Sequence, residues 1–232
     1  MFAILLNGLS ICIGSLIGHF FKRKSSPKVT KAIVLIIGLQ LLAMGMKDAI
    51  SFENGMLNTI YLVIGVVIGE IINIDKRLRY MGIFLQRKIA RGTHGVVKGF
   101  VVATLIFCIG SMAVIGPLKI AANGDSSIIY VKTILDGVMA LILASTYGLG
   151  VIFAAFMVVA YQGIILLFSD ILLSIADSHV INQLSSIGGV LLLGLAFTLL
   201  FENKNLKVSN MLPAMFLPII VAIGKHIINI FI

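Results

Sequence analysis

Charge is what this chain has least of. Only 12% of its residues are Asp, Glu, Lys or Arg, while 59% are hydrophobic. No water-soluble domain of 232 residues could hide that much apolar surface in one core, which excludes a soluble fold and leaves an integral membrane protein. Long polar links are missing as well, so residues 1–232 read as a single integral membrane domain with no separate soluble part. Cysteine is nearly absent: Cys12 and Cys108 lie within apolar runs, where a thiol more often packs as a small residue than joins a disulfide. His19, His94, His179 and His226 are scattered among loops and span ends without metal-ligand spacing, so no metal is expected. Gly148-Leu149-Gly150 lacks the third glycine and the preceding strand of a dinucleotide loop, and no Gly-Lys-Ser/Thr loop exists for ATP. Neither a cofactor nor an enzymatic activity is therefore expected, and any transport would be passive or driven by an ion gradient.

The charge that is present leans one way, with eighteen Lys and Arg against nine Asp and Glu. Lys22, Arg23, Lys24, Lys28 and Lys31 follow the first apolar run, and Lys76, Arg77, Arg79, Arg87, Lys88, Arg91 and Lys98 fill the link after the third. By the positive-inside rule both segments face the cytoplasm. Topology and attraction to anionic lipid explain the excess, so the bilayer is the expected partner and nucleic acid is not. In residues 78–93 basic side chains alternate at helical spacing with Leu78, Tyr80, Met81, Ile83, Phe84, Leu85 and Ile89, the pattern of an amphipathic helix lying on the cytoplasmic leaflet.

A span needs about 20 apolar residues, and the runs provide about eight. They are expected at 3–21, 30–48, 56–74, 97–118, 129–145, 148–169, 187–201 and 210–231, with 174–186 as an outer loop or surface helix. Both termini then fall outside and every strongly basic loop inside. Residue 1 has no basic residue ahead of it and no small-x-small cleavage site follows, so the first run is expected to be a retained helix and not a signal peptide. The turn at Ser145-Thr146-Tyr147-Gly148 is short and uncharged, leaving open that the fifth and sixth spans are one broken segment. Leu6-Asn7, Ile13-Gly14 and Ile17-Gly18 match Leu57-Asn58, Ile64-Gly65 and Ile68-Gly69 in spacing. Val34-Leu35 through Gly38-Leu39 likewise matches Val190-Leu191 through Gly194-Leu195 in a span of opposite direction. Spans 1–3 and 6–8 could form an inverted repeat with two spans inserted between, or these Gly-punctuated runs could resemble one another by composition alone.

Polar residues inside spans carry the functional argument. They are Asn7, Gln40, Asn58, Glu70, Ser111, Lys132, Asp136, Gln162 and Asn210. An acid within an apolar span is costly and is a functional-site hypothesis by default, which puts Asp136 first. Lys132 is one helical turn away and could simply pair with it. Asn7 and Asn58 lie near outer span ends, where capping is the bland alternative. Glu70 is near the inner end, within reach of headgroups or of Lys76 and Arg77, and Gln40 and Gln162 sit at mid-membrane and must find partners. Gly110-Ser111 and Gly116-Pro117 can break span 4, and freed backbone groups survive at that depth only in protein or beside a wet cavity. Pro213, with Pro218, offers a second break, although Asn210 and Pro213 also suit an ordinary helix start. The Gly-x-x-x-Gly steps Gly14/Gly18 and Gly65/Gly69 suit close helix packing, within the chain or across a dimer.

Over nearly its whole length the chain resembles the uncharacterised bacterial inner-membrane family that includes the YqgA-type and YdfK-type proteins. The resemblance rests on Leu6-Asn7 with Gly14 and Gly18, Gly69-Glu70, Gly110-Ser111-Met112 with Gly116, and Gly124-Asp125. It rests further on Lys132 with Leu135-Asp136, on Ile187-Gly188-Gly189 and on Asn210-Met211-Leu212-Pro213. Pro117 departs from the small or flexible residue expected after that glycine. The resemblance implies a bacterial plasma-membrane location and brings no established activity. The expectation is thus an all-α bundle of about eight membrane helices that acts as a secondary transporter or facilitator of a small polar or ionic solute. Asp136 would be the coupling acid, with Ser111, Gln162 and Asn210 as contacts. The alternative is a non-transporting scaffold or partner subunit that packs through its Gly-x-x-x-Gly faces, and a homo-oligomer is left open.

Overall fold

A computed structural model describes residues 1–22, 26–88, 95–175, 177–201 and 206–231, and among these every regular element is a helix. In chain order the α-helices are α1 (Phe2–Lys22), α2 (Pro27–Ala49), α3 (Gly55–Ile72), α4 (Ile74–Lys88), α5 (Val96–Ile109) and α6 (Met112–Asn123). They continue with α7 (Ser127–Tyr147), α8 (Ala154–Leu167), α9 (Ser169–Ile175), α10 (Ser178–Leu200) and α11 (Pro213–Phe231). Short 3-10 turns, Leu149–Phe153 and Val208–Met211, lead into α8 and α11. Among the described residues seven segments are long and apolar enough to cross a membrane, and α5 with α6, bent by 49° at their junction, are so only as a pair. The protein is an all-α, multi-pass membrane bundle. Arg23, Lys24, residues 89–93 of the expected surface helix, His94 and the loop residues 202–205 lie outside the described residues.

Local chemistry sets the helix ends. Ser26 and Asn54 accept hydrogen bonds from the N–H groups of Val29 and Leu57 at the starts of α2 and α3. Asn73, at φ 54°, ends α3 in the left-handed conformation that asparagine tolerates, and α4 begins on the next residue. Gly148, at φ 85°, turns the chain sharply after α7, so the fifth and sixth spans are separate.

Three boundaries differ from the expectation. The seventh span starts at Ser178 and not at 187, because Asp177 accepts the Val180 N–H and caps the helix there, so Asn182, Gln183, Ser185 and Ser186 ride within it. Only Ser169–Ile175 forms a separate short helix before it. Pro117 lies inside α6, which continues to Asn123 and ends at left-handed Gly124. The bend instead occurs at Gly110 and Ser111, between α5 and α6. The amphipathic helix starts at Ile74, four residues before the expected 78.

Packing draws the chain round α5 and α10. Ten of the fourteen residues of α5 are buried, as befits a helix apolar on all sides. Facing α10 residues Ile187, Leu191 and Leu192 complete the centre with Phe100, Phe107 and Ile109. Helix directions follow from which residues meet. Gly14 abuts Gly137 and Leu141 while Gly18 abuts Leu141 and Ala144, so α1 and α7 run parallel. Gly8 faces Ala155 and Val159 while Met1 reaches Gly163, so α1 and α8 are antiparallel. The α2–α10 pair is antiparallel too, with Gly38 against Leu200 and Gly45 against Gly189, and so is α3–α11, with Gly65 on Ala214 and Gly69 on Asn210. Each of the first three spans therefore packs against its would-be counterpart among spans 6, 7 and 8. An inverted repeat about an axis in the membrane plane produces this arrangement.

Candidate functional site

Lys132 and Asp136 are a turn apart on α7, and the Lys132 ammonium bridges the carboxylate, 3.0 Å from Oδ1 and 2.8 Å from Oδ2. Asn7 of α1 donates from Nδ2 to the same Oδ2 at 3.1 Å. All three are buried, Lys132 to 6%, Asp136 to 7% and Asn7 to 0% exposure. Asp136 stands nine residues beyond the start of α7, about 14 Å along its axis. What brings Asn7 to this depth is the close α1–α7 crossing. A Cβ at Gly14 would overlap the Gly137 carbonyl and one at Gly18 the Leu141 carbonyl, so only glycine permits this approach. Ser10 pins the crossing by donating to the Thr133 carbonyl at 2.7 Å.

Helices α5 and α6, on either side of the break, both pack against α7, which carries the pair. At the break the last carbonyls of α5 and the first N–H groups of α6 have lost their helical partners. Helical bonding resumes with Ala113 N–H to the Gly110 carbonyl at 2.9 Å and Ile115 N–H to that of Ser111 at 3.0 Å. The Ser111 hydroxyl does not cap α6, and no atom lies within 4 Å of where a Cβ on Gly110 would stand. Among the described residues, fully buried Gln162 has no partner for either amide atom, and Asn7 Oδ1, Asn58 Oδ1, Thr104 Oγ1, Ser15 Oγ and Asn210 Nδ2 are likewise buried without one. Leaving such groups unpaired costs about 1–3 kcal/mol each, so these atoms depart from the usual rule that buried polar atoms are satisfied. At the fixed, net-neutral ion pair itself one such acceptor, Asn7 Oδ1, is unused.

The other expected site residues are not hydrogen-bonded to this cluster. Asn58 donates to Ser186 Oγ at 2.8 Å, and Ser186 in turn donates to the Ala49 carbonyl at 2.9 Å, tying α3 to α10 and the end of α2. Asn210 Oδ1 accepts the Asp75 N–H at 2.7 Å and so caps the first turn of α4 from a distant part of the chain. Asp75 holds Arg79 at 2.6 Å and accepts from Ser209 at 3.2 Å, which makes this a joint between α3, α4 and α11. Glu70 is half exposed and pairs with Lys207 at 3.7 Å, not with Lys76 or Arg77, because the bare face of Gly69 brings the Ser209-Asn210 turn against α3. Gln40 faces away from the bundle: the packing stripe of α2 is Ile37, Gly38, Leu41 and Gly45, and Gln40 lies on the opposite side. Gly116 and Pro117 are buried within α6 against Ile129 and its surroundings, and Pro213 opens α11 after the Val208–Met211 turn. Ser10, Thr104, Asp75, Ser186 and Ser209 were not singled out from sequence. Asp75 alone carried a signal, an acid in the first turn after a helix-ending asparagine.

The profile of the family described as "Protein of unknown function (DUF554)" matches residues 2–223. The chain is 30% identical over 230 residues to "Uncharacterized membrane protein YdfK" of Bacillus subtilis (strain 168), covering 97% of each. It is 22% identical over 217 residues to "Uncharacterized protein YqgA" of Escherichia coli (strain K12), covering 91% of this chain and 92% of that one. No solved structure matches it.

Proposed function

The chain belongs to the DUF554 family, and from that premise we propose that it is a secondary transporter or facilitator of a small polar or ionic solute across the bacterial plasma membrane. The observation that carries this reading is the buried Lys132–Asp136 pair, joined by Asn7, on a helix against which both halves of the bent α5–α6 segment pack. Broken membrane helices and intramembrane acids recur where solutes and coupling ions cross.

In the closed arrangement the pair is neutral and can remain out of water. Its separation exposes the mechanism. Lys132 has a long apolar stem and lies about one turn nearer the start of α7, so its ammonium can snorkel toward that interface. Asp136 must then bind another cation or take up a proton, because a lone carboxylate cannot stay ionised in a dry site. Ser111, Gln162 and the open Asn7 Oδ1 would hold the solute or its hydration. Reformation of the pair would discharge the cation, coupling its release to the return step. No bond-making chemistry is proposed, and the basic end of the bundle, with α4 on anionic lipid, would face the cytoplasm with both termini outside. Gly14, Gly18, Gly65 and Gly69 are all consumed in packing within the chain. Their use in intramolecular packing favours transport over a scaffold that packs through those glycines.

The test is electrical. Purified protein in proteoliposomes on a solid-supported membrane is challenged with sodium, potassium and pH jumps, each with and without a panel of amino acids, sugars and organic acids. A charge-displacement current is expected in the wild type and its loss in Asp136→Asn, which keeps size and hydrogen bonding. Currents of equal size in both proteins would remove Asp136 from the mechanism.

A further inference from the structure

Gln40 is at the middle of α2, about 20 Å from the Pro27 end and about 14 Å from the Ala49 end. It is exposed, and among the described residues its amide makes no hydrogen bond. A neutral amide left in hydrocarbon keeps none of the hydrogen bonds it makes in water, so polar side chains at this depth ordinarily face protein or a wet cavity. Gln162, the other mid-depth glutamine, faces protein and is fully buried. Gln40 has only the outer surface of the bundle.

The residues around it form a seam. Val29, Ala32, Ile36, Gln40, Ala43 and Lys47 are all exposed and recur at steps of three and four, which sets them in one stripe along α2. This stripe lies opposite the one that packs on α10, and α2 is among the least buried of the long helices, at 22% of its apolar window. From this we infer that α2 is the interface of a parallel homodimer, with a second copy of this chain as the occupant. The choice follows from the chemistry of the exposed group. A primary amide is both donor and acceptor, so it is complementary to itself. A two-fold axis along the membrane normal puts Gln40 opposite its own copy at equal depth, where the two side chains exchange a reciprocal pair of hydrogen bonds. Ala32 and Ala43 on either side let the two backbones approach. Lys47 ends the seam near the interface, where two ammonium groups can diverge into water. A lipid chain satisfies none of these atoms, and an unrelated helix would need a matching amide at the same depth. The Gly-x-x-x-Gly steps cannot serve, since they are buried inside the chain.

The inference does not depend on transport and is tested without it. In a background carrying Cys12→Ala and Cys108→Ala, single cysteines at 36, 43 and 47, which leave Gln40 in place, are oxidised in native membranes and compared with cysteines at 37, 41 and 45. Cross-linked dimer is expected at 36 and 43 and absent at 37 and 41. In parallel, single-molecule photobleaching in bilayers counts subunits in the otherwise unmodified protein and in Gln40→Leu, whose association should weaken about tenfold, with Gln40→Asn in between. One-step bleaching of the wild type would overturn the proposal. So would cross-links that peak on another helix, or an unchanged dimer fraction in Gln40→Leu. Should the cysteine-free background not fold, the photobleaching comparison decides alone.

Discussion

Helices α1 and α3 carry Leu-Asn, Ile-Gly and Ile-Gly at the same spacing, and in both the glycines press against another helix's backbone while the asparagine donates to a neighbour. The neighbours differ. Asn7 meets a carboxylate already held by a lysine, whereas Asn58 meets the hydroxyl of Ser186, which in turn donates a hydrogen bond to a backbone carbonyl. Gly14, Gly18 and the asparagine of α1 meet the same helix, parallel α7, whereas Gly65 and Gly69 of α3 meet antiparallel α11 and the turn leading into it, and its asparagine meets α10. The shared motif thus sets a mode of packing, close approach with an amide near the outer end, and the partner helix decides whether the amide serves a charge or a structural bond. Among the described residues each asparagine keeps its own Oδ1 buried without a partner. What separates the two centres is therefore the group each amide donates to: an ionised carboxylate at Asn7 and a neutral hydroxyl at Asn58.

The largest test of this contrast removes a charge. Lys132→Ala leaves a buried carboxylate without its cation and should cost about 3–5 kcal/mol, seen as a lowered melting temperature in detergent. Lys132→Leu combined with Asp136→Leu should recover most of that stability while abolishing coupled currents, since two buried charges are replaced by packing. A stable single variant would mean that Asp136 is already solvated. Less is expected from the asparagines. Asn7→Ala should cost about 1.5–3 kcal/mol because its acceptor is ionised. Asn58→Ala should cost about 0.6–1 kcal/mol, the usual worth of a neutral bond between membrane helices. Equal losses in the two, measured by the same melting assay, would dissolve the distinction between charged and structural centres.

The smallest effect concerns the α6–α7 turn, outside both centres. Asp125 accepts the Ser127 N–H at 2.9 Å, and hydrogen bonds from the Ser127 hydroxyl and backbone, with Lys119 beside it, hold its carboxyl below the usual carboxylate range. A depressed folded value means that the contribution is present above the unfolded pKa and is lost as pH falls through the folded one. Hydrogen exchange across residues 125–131, corrected for intrinsic rates, should show protection falling only below the ordinary aspartate range. Asp125→Asn should make that protection independent of pH.

Much of the fold was legible because hydrophobic length and basic links are linear properties of a membrane sequence. The limits of the spans were less so. Residues 178–186 read as a surface segment since Asn182, Gln183, Ser185 and Ser186 depress its hydropathy. Within the structure Asn182 donates to Glu53 at 2.6 Å and Ser186 serves Asn58, so the polar atoms are satisfied and the helix continues. Pro117 read as a break, yet a helix that begins at Met112 tolerates a proline in its second turn at the loss of one bond. The i,i+4 relation of Lys132 and Asp136 was visible in the numbering; that Asn7 would close on it was not, because that contact spans 129 residues of chain.

What the sequence determined by itself is what short-range physics reads: an all-α membrane protein, the order of its spans, the glycines that require close packing, and an acid deep within an apolar span. Tertiary structure alone decided which polar residues meet. Asn210, Glu70 and Gln40 were indistinguishable from Asn7 and Gln162 as letters within apolar runs. Their fates separated when Gly69 admitted the Asn210 turn, when Gly14 and Gly18 drew α1 onto α7, and when α2 turned its other face to α10. The reason is that a polar atom in a membrane is governed by the partner it finds, and that partner is chosen by helix contacts between residues far apart in the chain.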